Sequence, residues 1–109
     1  AGTDSLSRMS KRAISTVVNV LKDNPSISIE LGSHTDARAS ASYNLKLSQR
    51  RAESAVKYII EHGIEAARIK AKGYGETQLI NGCSDGVDCS EEAHQENRRT
   101  EFKITDLND

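Results

Sequence analysis

The apolar positions of this chain fall into two helical and three alternating stretches. From Asp4 or Ser5 onward, Leu6, Met9, Ala13, Val17 and Leu21 recur at helical spacing, which predicts an amphipathic helix of about five turns. Asp23-Asn24-Pro25 ends it, because a proline pushes the preceding residue out of the helical region. Between Ser26 and Ser33 the pattern switches to strict alternation. Ile27, Ile29 and Leu31 face one way and Ser28, Glu30 and Gly32 the other, as in a strand with one buried face. A loop of small residues follows, from Thr35 to Ala41, and Ser40 or Ser42 can cap the next helix. In that helix Leu45, Ala52, Val56 and Ile59 form the expected buried stripe, with Ala55 and Ile60 beside it, and His62-Gly63 closes it. Arg68 to Gly75 reads as a second strand. Its Gly73-Tyr74-Gly75 end suggests a close backbone approach. After a long loop, Glu91 to Gln95 forms one helical turn. Arg99 to Thr105 alternates again, Thr100, Phe102 and Ile104 against Glu101, Lys103 and Thr105.

The order helix, strand, helix, strand, loop, strand defines an α+β fold. It is a two-layer sandwich, with both main helices on one face of a small mixed sheet. The strand-helix-strand unit from Ile27 to Tyr74 should be parallel and right-handed. A length of 109 residues fits one domain, residues 1–109, with roughly two-thirds of its unfolded surface to bury. Trp is absent and aromatics are 4%, so the core must be aliphatic. A net charge of −1 without a long basic run argues against nucleic acid as a partner. No apolar run approaches the roughly 20 residues that span a bilayer, and no signal peptide opens the sequence, as for a cytosolic protein or an excised mature domain.

Cys83 and Cys89 enclose Ser84-Asp85-Gly86-Val87-Asp88, a polar loop that can turn at its glycine. The spacing is not that of a redox pair, and only His94 is near as a further metal ligand. A structural disulfide is favoured over free thiols or a metal site. It implies an oxidising compartment and contributes about 2 kcal/mol through so short a ring. No cofactor or metal site is legible, since Asp85 and Asp88 alone are too few carboxylates for calcium.

The candidate chemistry lies where the first strand meets the second helix. Thr35-Asp36 ends the strand, and Asn44 and Arg51 follow at i and i+7 on one stripe of the helix. They stand about 10 Å apart along its axis. Long side chains lean toward the helix N-terminus, so Arg51 points back toward Asp36. A carboxylate and a guanidinium at one corner can hold a ligand bearing both an ammonium and a carboxylate. Backbone N–H groups of Ala37 to Ala39 and the helix N-terminus add donors for the carboxylate. An ion pair with no ligand is the structural alternative. Asn44 can equally bond the loop, and Thr35 is better suited to loop structure than to contact. His34, two residues before Asp36, invites a hydrolase reading, but no third group or oxyanion element accompanies it. His62 and His94 read as surface residues.

These residues resemble the OmpA-like C-terminal domain, a peptidoglycan-binding module. The matching segments are Asn24-Pro25, His34-Thr35-Asp36, and Tyr43-Asn44-Leu45-Lys46-Leu47-Ser48-Gln49-Arg50-Arg51-Ala52. Gly63, Gly73-Tyr74-Gly75-Glu76 and Asn97-Arg98-Arg99 continue the resemblance. It implies a non-enzymatic module at the periplasmic face of the outer membrane. Asp36 would take the ammonium and Arg51 the carboxylate of diaminopimelate in the peptidoglycan stem peptide. Arg98, from the family's Asn-Arg-Arg, would hold Asp36 or reach the ligand. Two features depart from the family. Ala39 stands where a glycine is usual, so the loop must tolerate a Cβ. Nothing before Leu6 reads as the strand with which such domains open, which would leave a sheet edge bare. Both departures favour a second reading, an interaction or oligomerisation domain, forming a homodimer, whose ligand site has lapsed.

Overall fold

The computed structural model describes residues 11–107. The helix α1 spans Lys11–Asp23, β1 Ile27–His34, α2 Ala41–Glu61, β2 Ile69–Gly75, α3 Glu91–Asn97 and β3 Thr100–Leu107. Leu6, Met9 and the expected helix start lie outside the described residues, as does the question of an opening strand. The strands form one sheet in the order β2-β1-β3, with β1 parallel to β2 and antiparallel to β3. The fold is thus the α+β sandwich that the alternation predicts.

The core forms between the sheet and the two longer helices. Ile14, Val18 and Leu21 of α1 meet Ile27, Ile29 and Leu31 of β1 and Ala52, Ala55, Val56 and Ile59 of α2. In α1 Leu21 is buried as expected, but the two turns before it run one residue off the expected line. Ala13 is exposed and Val17 only half-buried, because Ile14, Val18 and Leu21 give the same i, i+4, i+7 spacing with a larger apolar face. In α2 the expected Leu45 is 47% exposed, and the buried positions there are Asn44 and Ser48. The cause is β2. A Cβ on Gly73 would stand 2.2 Å from the Gln49 backbone nitrogen, and one on Gly75 3.0 Å from that of Leu45. The helix backbone lies on the strand, so only small or polar side chains fit between them. Ser48 Oγ accepts from Gly75 N–H at 2.9 Å, and Gln49 Oε1 accepts from Gly73 N–H at 2.7 Å. The helix thereby satisfies two donors of an edge strand that has β1 as its neighbour in the sheet.

On β3, Phe102 and Ile104 are 36% and 57% exposed. They rim an apolar groove of about 230 Å³ with Val17, Val20 and Ile29. The pairing sets Phe102 and Ile104 opposite Leu31 and Ile29, on the expected face, but β3 is an edge strand among the described residues and residues 101–106 are all exposed. The Cys83–Cys89 disulfide forms, with Cα atoms 6.1 Å apart. Its loop is tied to α3 through buried Asn97, which donates to Asn81 Oδ1 at 2.8 Å and accepts from Ile80 N–H at 2.8 Å. No helix among the described residues is long and apolar enough to cross a membrane.

Candidate ligand-binding site

The corner is built by a shift of register. Ser33 pairs with Gly73, but His34 pairs with Gly75, so β2 carries one extra residue at this end. Thr35 N–H then donates to Gly75 O at 2.9 Å, and the Thr35 hydroxyl donates to Asp36 O at 2.9 Å. Asn44, 3% exposed, folds the loop over the helix. Its Nδ2 donates to Arg38 O at 2.8 Å, to Glu76 Oε1 at 3.0 Å and to Asp36 O at 3.2 Å. Ser40 is the helix cap, accepting from Tyr43 N–H at 3.1 Å. Between them Ala39 adopts φ 72°, the left-handed region that favours glycine. Ala39→Gly should therefore stabilise the domain by about 0.5–1 kcal/mol, the relieved Cβ strain less the extra entropy of an unfolded glycine. Thermal unfolding should show a rise of about 3–6 °C in Tm.

Asp36 is buried and held on both oxygens. Arg38 N–H donates to Oδ1 at 3.0 Å; the guanidiniums of Arg38 and Arg98 donate to Oδ2 at 2.8 and 2.6 Å. Burial alone would push this carboxyl up. The bonds from Arg38 and Arg98 outweigh burial and hold it at about 2. Glu91 of α3 bridges the same two arginines, at 2.9 Å from Arg38 and 2.7 Å from Arg98. A depression of about 310 Å³ opens above this network, and Thr35, Asp36, Asn44, Arg51 and Arg98 all line it. Three guanidiniums, Arg38, Arg51 and Arg98, thus meet two carboxylates, Asp36 and Glu91, around one concavity.

Ala37 is buried and is not part of the lining. Arg38 N–H is spent on Asp36, which removes one backbone donor expected for a ligand. Tyr43 is half exposed at the rim, and Arg50 is exposed. His34 belongs to the opposite face of the sheet. It stacks on Tyr74 with ring centroids 4.9 Å apart and pairs with Glu101 at 3.1 Å, in a separate depression of about 520 Å³. Gly32 makes that stacking possible, since a Cβ there would sit 2.8 Å from the Tyr74 ring. His94, expected at the surface, is 8% exposed, because α3 turns it inward on the same side as Asn97. Sequence reasoning missed Arg38 and Glu91. Arg38 carried a usable signal, a basic residue two positions after Asp36 in a loop of otherwise small side chains. Glu91 carried none, because only the fold brings α3 to this loop.

This fold, with an acid-and-arginine corner where β1 meets α2, defines a class of small α+β modules. The profile of the OmpA family matches residues 1–93, and the chain belongs to that family. The matched span stops short of Asn97-Arg98-Arg99. Over 94 residues the chain is 40% identical to the photosystem I P700 chlorophyll a apoprotein A2 of Gloeobacter violaceus, covering 84% of this chain and 11% of that protein. It is 30% identical over 90 residues to the peptidoglycan-associated lipoprotein of Legionella pneumophila, covering 83% of this chain and 48% of the relative. The chain thus spans less than half of the length of either relative. The crystal structure of the peptidoglycan-associated lipoprotein from Burkholderia pseudomallei superposes with a TM-score of 0.75 at 24% identity, over 86% of this chain and 75% of that one. At that identity the superposition concerns the fold.

Proposed function

We propose that this chain is a non-catalytic module that binds peptidoglycan through the diaminopimelate of the stem peptide, at the periplasmic face of the outer membrane. Through it the protein that carries the module is tethered to the cell wall. The observation that carries the reading is that Asp36 and Arg51 line one concavity at the end of β1. Asp36 stays ionised at any physiological pH and can accept an ammonium. Arg51 supplies a guanidinium fork for the carboxylate on the same ligand carbon. Arg98 holds Asp36 in place, and Asn44 and Thr35 fix the loop. Membership of the OmpA family supports the same assignment.

Titration calorimetry with a diaminopimelate-containing stem peptide tests it. Arg51→Ala and Asp36→Asn should each weaken binding roughly 30-fold or more, the usual cost of losing one partner of a desolvated charged pair. The same peptide with lysine in place of diaminopimelate keeps the ammonium and lacks the carboxylate. It should bind weakly and respond little to Arg51→Ala. Native affinity in both variants would sink the site assignment.

The second reading, a homodimerising interaction domain, draws on the edge of β3 that no strand covers among the described residues, beside the Val20, Phe102 and Ile104 groove. It predicts a concentration-dependent dimer in sedimentation and no retention on sacculi.

A further inference from the structure

We infer that Arg38 gates the ammonium half of the site, occupying Asp36 until a cationic ligand displaces it; the inference rests on the function proposed above. A carboxylate offers about four acceptor positions. Three are used within this chain: Arg38 N–H on Oδ1, and the guanidiniums of Arg38 and Arg98 on Oδ2. An ammonium gripped by both oxygens takes Oδ2 as well as the open position on Oδ1. One of the occupants must move.

Arg38 is the one free to do so. Its backbone N–H is fixed by the loop, whose Arg38 carbonyl is tied to Asn44. The Arg98 side chain is 14% exposed and is also bonded to Glu91 and Gln95. The Arg38 side chain is 50% exposed. It also has somewhere to go: Glu91, itself 64% exposed, already accepts from its other terminal nitrogen at 2.9 Å. Arg38 can rotate off Asp36 and keep an ionic partner.

Charge gives the motion its direction. The concavity is lined by three guanidiniums and two carboxylates, and an arriving ammonium meets the Arg38 guanidinium already seated on Asp36. Withdrawal of Arg38 toward Glu91 returns Asp36 to a charge the ligand can neutralise. Ligand ammonium and Arg38 therefore compete for one oxygen, and the observed affinity is the intrinsic affinity reduced by the fraction of molecules in which Arg38 holds Asp36. A ligand with the carboxylate but no ammonium has no reason to displace Arg38.

The test compares native protein, Arg38→Gln, Arg38→Met and Arg51→Ala by titration calorimetry, with folding of each checked by thermal unfolding. Two probes are used: a tripeptide stem containing diaminopimelate, and the same peptide with 2-aminopimelate, which keeps the terminal carboxylate and lacks the side-chain ammonium. Both Arg38 variants should bind the diaminopimelate peptide about 5–10-fold tighter than native and the 2-aminopimelate peptide no tighter. Unchanged or weaker binding of the diaminopimelate peptide, or an equal gain for both peptides, would overturn the gate. Failure of the underlying site reads differently, as native affinity in Arg51→Ala whatever Arg38 does.

Discussion

Gly73→Ala should cost this domain about 3 kcal/mol or more, a large part of the 5–15 kcal/mol by which small domains are stable. A Cβ at this position would lie 2.2 Å from the Gln49 nitrogen, 2.6 Å from its Cα and 2.6 Å from Ser48 Oγ. Two of these neighbours are helix atoms near the backbone axis, so no rotamer change relieves the clash. Moving α2 away breaks the bonds from Gly73 and Gly75 N–H to Gln49 and Ser48. Those donors are then left without their partners, at about 1–3 kcal/mol each where water cannot replace them. The same shift pulls Ala52 and Ala55 off the sheet. In urea the midpoint should fall by about 2 M, taking a slope of about 1.5 kcal/mol per M. Gly82→Ala is the control. A Cβ there meets open space, and the change should stay within about 0.5 kcal/mol. Equal effects from the two substitutions would mean that the α2–β2 contact is not what Gly73 serves.

That contact also explains what was legible in the sequence. The strands were readable because β1 alternates from Ile27 to Leu31 and Pro25 and Gly63 mark helix ends. The helices were readable in extent but not in phase. Ile14 and Ala13 both belong to 3.6-residue series, and which series is buried depends on where the sheet lies. Leu45 was misplaced for a related reason. A leucine inside an apolar pattern is ordinarily core, but the glycines of β2 bring the helix backbone so close that polar Asn44 and Ser48 take the buried stripe. Periodicity reports what a helix could bury; the partner surface decides what it does bury. Phe102 and Ile104 show the converse, an apolar side half open because β3 has one neighbouring strand among the described residues.

The site was legible where its members are close in sequence or sit on one helix. Asp36, Asn44 and Arg51 lie on a strand end and one helical stripe, and helical geometry alone predicts their meeting. Arg98 was reached through the family's Asn-Arg-Arg, not through spacing. The double clasp on Asp36 was not readable, because it depends on α3 and its C-cap presenting Glu91 to Arg38 and Arg98 to Asp36 across more than fifty residues of chain. Ala39 was readable as an anomaly and not as a strain, since only the backbone angle distinguishes the two.

The clasp on Asp36 makes a pH prediction with a definite sign. The folded carboxyl is held at about 2, below its ordinary 3.8. A depressed carboxyl contributes stability that is fully present above 3.8 and is lost as pH falls through about 2. The loss should amount to about 2 kcal/mol. His34 adds to acid lability in a higher window. Burial, and then Arg99, lower its affinity for a proton below that of a free imidazole, so stability begins to fall once pH drops below 6.5. Glu76 works the other way. Burial and then the neighbouring Asp85 raise its carboxyl, so its contribution is present at low pH and lost as pH rises above 4.5. Comparing Asp36→Asn with the native protein isolates the clasp from these groups. Urea unfolding at pH 7, 5, 3 and 2 should show a stability difference that is largest at neutral pH and shrinks between pH 4 and 2. A difference constant across that range would place the acid lability elsewhere. The same ionisation fixes the functional expectation. Because Asp36 keeps its charge down to about 2, binding of an ammonium-bearing ligand should hold between pH 7 and 4, where an unclasped carboxylate would already be titrating.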